Sequence, residues 1–122
     1  MGARVLVVED EAVVLLELSM VLEDLGYAVA GTASDLDRGI VLARELRLDV
    51  ALLDINLAGR ESWPIAAVLG ERGIPFILMS GYTQSTLPPA FAGRPFVSKP
   101  YGRDEVHAAL RIACGTDDGF DG

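Results

Sequence analysis

Five short apolar stretches, each followed by a helical pattern or a turn signal, leave this chain few folds to choose from. They are VLVV (5–8), YAVAGTA (27–33), VALLD (50–54), PFILMS (75–80) and PFVSK (95–99). Strands that run apolar without alternation are buried on both faces, as in a parallel sheet covered by helices on each side. The stretches between them supply such helices. Over 12–25, Val14, Leu18, Val21, Leu22 and Leu25 recur at helical spacing, and Gly26 supplies a stop. Ser34 with Asp37 three residues on gives a capping-box-like start to a second helix, whose inward face would be Leu36, Ile40 and Ala43. Pro64 marks the first turn of a third helix that ends at Gly73, and 103–113 carries Val106, Ala109, Leu110 and Ala113 on one side.

Strand–helix alternation of this kind predicts an α/β, flavodoxin-like, doubly wound sheet of five parallel strands in the order 2-1-3-4-5. One connection departs from the pattern. In 81–94 the pair Pro88–Pro89 removes two backbone donors, so the fourth helix is expected to be short or replaced by a loop. The 122 residues suit one domain over 1–114, followed by a flexible tail at 115–122.

Composition excludes some classes of function. A net charge of −8 with no Lys/Arg cluster argues against a nucleic-acid partner. No apolar run is long enough to span a membrane, and no secretory signal pattern opens the chain. The single cysteine, Cys114, cannot form an internal disulfide and suits a cytoplasmic setting.

In open α/β sheets ligands bind beyond the carboxyl ends of the strands. Glu9 and Asp10 follow the first strand, Asp54 ends the third, Ser80 the fourth and Lys99 the fifth. The topology would bring all five together. Three carboxylates in one site repel, and a divalent cation resolves the conflict. An all-oxygen set suits Mg²⁺, which takes one or two carboxylates and keeps several waters. A carboxylate beside Mg²⁺, a lysine and a hydroxyl is a phosphoryl-transfer constellation, with Asp54 as nucleophile.

The motifs VVEDE, LLDINLAG, FILMSGY and PFVSKPY, at these spacings, resemble the receiver domains of bacterial two-component response regulators, over residues 4–113. The resemblance implies that Asp54 is the phosphoacceptor and that Asp10 and Asp54 bind Mg²⁺ directly, with Mn²⁺ an alternative occupant. It also implies that Glu9 holds the metal through water and that the Asn56 backbone carbonyl is a further ligand. Ser80 matches the switch hydroxyl, Phe96 the switch aromatic and Lys99 the lysine that meets the phosphoryl group. A cis Lys99–Pro100 peptide is implied as well. FILMSGY with RPFVSKPY is similar to a subgroup with a Phe-Ala-Thr-Gly-Tyr-like motif, here with Ser80 in place of Thr. Members stand alone or are attached to histidine kinases of the His-Trp-Glu group, and lack a regular fourth helix.

The expected function is therefore that of a phosphoacceptor in a two-component phosphorelay. Its partners are a histidine kinase and a downstream protein, and it catalyses only its own phosphorylation and dephosphorylation. Asn56 and Tyr82 are expected to flank the phosphoryl group and gate the attacking water. A phosphorylation-independent pseudo-receiver is the first alternative. A Mg²⁺-dependent aspartyl phosphohydrolase is the second, disfavoured because Asn56 stands where a general-acid aspartate is needed. A flavodoxin lacks support, since no Ser/Thr/Gly-rich phosphate loop follows the first strand. His107 is read as a solvated or helix-packing residue, Cys114 as packing at a helix end, and Trp63 as packing on the third helix.

Overall fold

The computed structural model describes residues 2–80, 96–98 and 102–114, with only the backbone of Ser80, Phe96 and Ser98. The chain runs β1 (Arg4–Val8), α1 (Ala12–Asp24), β2 (Ala28–Ala33), α2 (Leu36–Glu45), β3 (Val50–Asp54), β4 (Asn56–Leu57), β5 (Arg60–Glu61), α3 (Trp63–Glu71), β6 (Phe76–Ser80), β7 (Phe96–Ser98) and α4 (Arg103–Ala113). The main sheet is parallel throughout, in the order β2-β1-β3-β6-β7. Counting its five strands alone, this is the expected 2-1-3-4-5. The short β4 and β5 form a separate antiparallel hairpin between β3 and α3.

Side chains alternate across the sheet and divide the core in two. Leu6, Val8, Ala51, Leu53, Phe76 and Leu78 face α2 and α3, meeting Leu36, Leu42 and Ala43 of one helix and Ile65, Ala66 and Leu69 of the other. Val5, Val7, Val50, Leu52, Ile77 and Met79 face α1 and α4, meeting Leu18, Leu22, Val106, Ala109 and Leu110. Every residue of β3 is buried, Asp54 included.

The helices end where the sequence indicated, because Gly26 and Gly73 adopt positive φ (96° and 71°), a region that costs other residues a Cβ clash. The start of α2 is corrected. Asp35 is the N-cap, its carboxylate accepting the Arg38 N–H at 2.8 Å, so Ser34 lies one residue outside the helix. The inward face is Leu36, Gly39, Leu42 and Ala43, with Ile40, expected there, only half-buried. On α1, Leu18 and Leu22 are buried, whereas Val14 and Leu15 pack at the margin. The same helix leaves Val13, Leu16 and Met20 exposed at 68%, 62% and 61%. Their spacing of three and four residues makes one apolar stripe on the solvent side.

The expected loop over 81–94, the cis Lys99–Pro100 bond and the tail 115–122 fall outside the described residues. Among the described residues no helix is long and apolar enough to cross a membrane.

Candidate metal and phosphoacceptor site

The carboxyl edge of the sheet is where apolar strand residues give way to carboxylates. β1 ends at Val8, and the next residue, Glu9, is fully buried, its N–H bonded to the Ala33 carbonyl of β2 at 3.0 Å. Its side-chain Oε2 accepts the Glu11 N–H at 3.1 Å, at the N-terminus of α1. A carboxylate there satisfies an otherwise unbonded helix donor and meets the positive end of the helix dipole. Glu9 thus serves the helix start from a buried position rather than from solvent.

Asp54 closes β3 and is 3% exposed. β3 is hydrogen-bonded between β1 and β6, so its last residue stands in the middle of the edge, opposite Met79. The following residue is fixed by an Ile55 N–H bond to the Met79 carbonyl at 3.0 Å. One carboxylate oxygen of Asp54 faces the Asn56 N–H at 3.4 Å, a long contact. Asp10 is half-buried, and its Oδ2 accepts the Ala58 N–H at 3.1 Å.

Glu9, Asp10 and Asp54 each offer an oxygen, and these oxygens lie within 4.8 Å of one another. Three carboxylates at that separation, two of them buried, are the donor set a hard divalent cation requires. The residues present therefore fit Mg²⁺, and its size and all-oxygen preference match better than those of a softer metal.

Of the other expected site residues, Asn56 is placed on β4 beside Asp54, its side-chain oxygen accepting the Gly59 N–H at 2.8 Å. Ser80 ends β6, and the β6–β7 register sets its backbone opposite Ser98, the residue before Lys99. The backbone of Phe96 pairs with that of Leu78 at the start of β7. Lys99 and Tyr82 lie outside the described residues.

One contributor was not legible in the sequence. The hairpin 56–61 turns through Ala58 (φ 54°) and Gly59 (φ 89°), two left-handed residues that make a type I′ turn. A glycine such as Gly59 is an ordinary turn signal. Ala58 is not, since alanine pays roughly 1 kcal/mol to enter that region and is seldom found there. It is the Ala58 N–H that reaches Asp10.

Residues read as structural contribute no oxygen to this cluster. Trp63 is half-buried against the α2–α3 side of the core, with its indole N–H donating to Glu61 at 3.1 Å. Cys114 caps the end of α4 and packs on the opposite side of the sheet. Burial pushes its thiol pKa up, and the Asp49 carboxylate adds to the effect. Tyr27 is also pushed up, first by burial and then by Cys114, with Arg111 acting in the other direction. His107 is half-buried on α4.

Known proteins share this arrangement. The solution structure of SdrG from Sphingomonas melonis Fr1 superposes with a TM-score of 0.81 at 32% identity, over 92% of this chain and 96% of that one. The receiver domain of the sensor histidine kinase PA1611 from Pseudomonas aeruginosa PAO1, with a magnesium ion coordinated in its active site cleft, gives a TM-score of 0.77 at 25% identity, covering 94% and 99%. Among curated sequences, the transcriptional regulatory protein PdtaR of Mycobacterium tuberculosis is 25% identical over 114 residues, which are 90% of this chain and 56% of PdtaR. The chain thus spans about half the length of such relatives. The sequence pattern of the response regulator receiver domain matches residues 5–111, from the first buried strand to the last helix. With the acidic cluster at the edge of a five-stranded parallel sheet, the chain belongs to the response regulator receiver domain family.

Proposed function

We propose that this receiver accepts a phosphoryl group on Asp54 from a histidine kinase and passes the signal on through protein contacts. One observation carries the reading. A strand-end aspartate is almost fully buried, yet has an oxygen within 4.8 Å of oxygens of two further carboxylates. A purely structural aspartate gains nothing from such neighbours, whereas a phosphoacceptor with a metal site needs them.

In the proposed reaction an Asp54 carboxylate oxygen attacks the phosphorus of a phosphohistidine. The O–P bond forms as the N–P bond breaks, and the imidazole leaves with the bonding pair. Hydrolysis by water returns the carboxylate and inorganic phosphate. Asp10 and Asp54 would hold Mg²⁺ directly, Glu9 through water, and the Asn56 backbone carbonyl would complete the protein's share. Bound there, the cation supplies neutralisation of the charge on the transferring group. In this reading Lys99 and Ser80 meet the phosphoryl oxygens, Phe96 follows the switch, and Asn56 and Tyr82 limit access of water. No turnover of an external substrate is proposed, so the protein is a switch and not an enzyme in the usual sense.

The exposed stripe Val13, Leu16 and Met20 supports the partner assignment. α1 starts two residues after Asp10, so an apolar surface adjoins the acidic site, and exposed apolar patches of this kind mark interaction surfaces. A histidine kinase would bury it while presenting its phosphohistidine.

The test is intact mass after incubation with acetyl phosphate and Mg²⁺, for wild type and Asp54→Asn. A single alkali-labile phosphoryl adduct that needs Mg²⁺ and is absent from the variant is the expected result. An adduct retained by Asp54→Asn refutes the assignment. Bound Mg²⁺ without any adduct, from acetyl phosphate or from phosphorylated kinases, would instead favour a phosphorylation-independent interaction module.

A further inference from the structure

The hairpin 56–61 is built more firmly than a connection between a strand and a helix requires. Leu57 is buried in the α2–α3 side of the core, and the Ser62 N–H bonds the Ile55 carbonyl at 2.9 Å, extending the pairing of β4 with β5 by one step. The Asn56 side chain accepts the Gly59 N–H at 2.8 Å across the turn. Glu61 accepts the Trp63 indole N–H. These bonds fix where the turn sits, and the turn holds Ala58 in the left-handed region at a cost. What that placement gains is one hydrogen bond. The Ala58 N–H meets Oδ2 of Asp10, 48 residues away in sequence.

We propose that this hairpin is a positioning device for Asp10, in which the Ala58 N–H fixes the carboxylate so that its remaining lone pairs meet a small cation in the right place. The proposal rests on the metal site read above. Asp10 is half-buried and follows the strand end, so its side chain has rotameric freedom that the contact removes. An N–H bond to one carboxylate oxygen, here at 3.1 Å, is directional and leaves the other oxygen available. The consequence concerns which cation binds. Mg²⁺ demands near-ideal octahedral geometry, whereas Ca²⁺ accepts irregular sites with more ligands and longer bonds. A fixed carboxylate therefore favours Mg²⁺, and a loosened one narrows its advantage over Ca²⁺. Ala58 is a positioning residue in this scheme, acting through Asp10.

The test is calorimetric titration of the full chain with Mg²⁺ and with Ca²⁺, with Trp63 fluorescence as a second readout beside the hairpin. Three changes at residue 58 are compared. Replacement of Ala58 by lactic acid exchanges the N–H for an ester oxygen and keeps the shape. Ala58→Val keeps the N–H but resists positive φ. Ala58→Gly keeps the N–H and relieves the strain. Loss of a group that orients a metal ligand typically costs 10–100-fold in affinity, so the ester should weaken Mg²⁺ by about 10-fold and Ca²⁺ by less. Ala58→Val should follow the ester, and Ala58→Gly should bind at least as tightly as wild type. Unchanged Mg²⁺ affinity in the ester, or an equal loss of both cations, overturns the positioning role while leaving the metal site standing. Absence of Mg²⁺ binding to the wild type, or its retention in Asp10→Asn, overturns the site reading and this proposal with it.

Discussion

Asp54→Asn should make the metal-free protein more stable. The three carboxylate oxygens lie within 4.8 Å of one another, and Asp54 takes part in two of the three pairs. At that separation and an effective dielectric of about 20, each like-charge pair costs roughly 3–4 kcal/mol. Solvent reaches the half-buried Asp10 and screens part of the repulsion. The Asn56 N–H bond that the substitution weakens is a long one, at 3.4 Å. A net gain of about 1–3 kcal/mol is the reasoned expectation, and for a domain of this size each 1 kcal/mol moves Tm by about 3–6 °C. Thermal melts in EDTA, followed by circular dichroism, would read it. Mg²⁺ at about one hundred times its Kd should then stabilise the wild type by about 2.7 kcal/mol and the variant by less, closing the gap. A metal-free Tm for Asp54→Asn equal to or below that of wild type would refute the reasoning, because it would mean the acidic edge stores no repulsion for a cation to relieve.

Three further outcomes follow from the packing. Gly39→Ala drives a Cβ into Cδ1 of Ile65, whose side chain is fully buried and has no open space to swing into, so overpacking of about 1–3 kcal/mol should outweigh the roughly 1 kcal/mol gained in helix propensity. Ile65→Val removes that Cδ1, so a urea-denaturation double-mutant cycle should show coupling above about 0.5 kcal/mol, and plain additivity would count against the contact. Leu16→Asp, on the exposed stripe of α1, should slow phosphotransfer from the kinase at least 10-fold while leaving labelling by acetyl phosphate unchanged. Equal loss in both assays would assign the residue to folding instead. The Cys114 thiol has a raised folded-state pKa, so alkylation against pH should show a midpoint above that of an unhindered thiol. The sign for stability follows: the neutral thiol's contribution is fully present below the unfolded-state pKa and is lost as pH rises through the folded-state value.

The sheet and the acidic edge were legible in the sequence because both depend on local, unambiguous signals. Unbroken apolar runs such as VALLD have no place except between covered faces, and a carboxylate at their end has no place except the edge. Capping was less readable. Ser34 and Asp35 are both good caps, and a residue-by-residue pattern does not tell which of them meets the Arg38 N–H; it is Asp35. The apolar stripe of α1 was obscured by its own inward face, since Val13, Leu16 and Met20 interleave with Leu18 and Leu22. Least visible was Ala58. Its backbone works against its own preference, held there by a register set through Leu57 and Asn56, and a site residue that acts through its N–H leaves no trace in side-chain chemistry.

The parallel sheet also acts as a partition. Among the described residues, no side chain of the α2–α3 cluster belongs to the α1–α4 cluster, and the sheet backbone lies between them. Substitutions on opposite sides should therefore combine additively, and changes in one half leave the other nearly untouched. This separation has an evolutionary use. The α1–α4 side can change its packing while the hairpin and the α2–α3 half keep theirs. The edge where Glu9, Asp10 and Asp54 meet is then the one place where the two halves must change together.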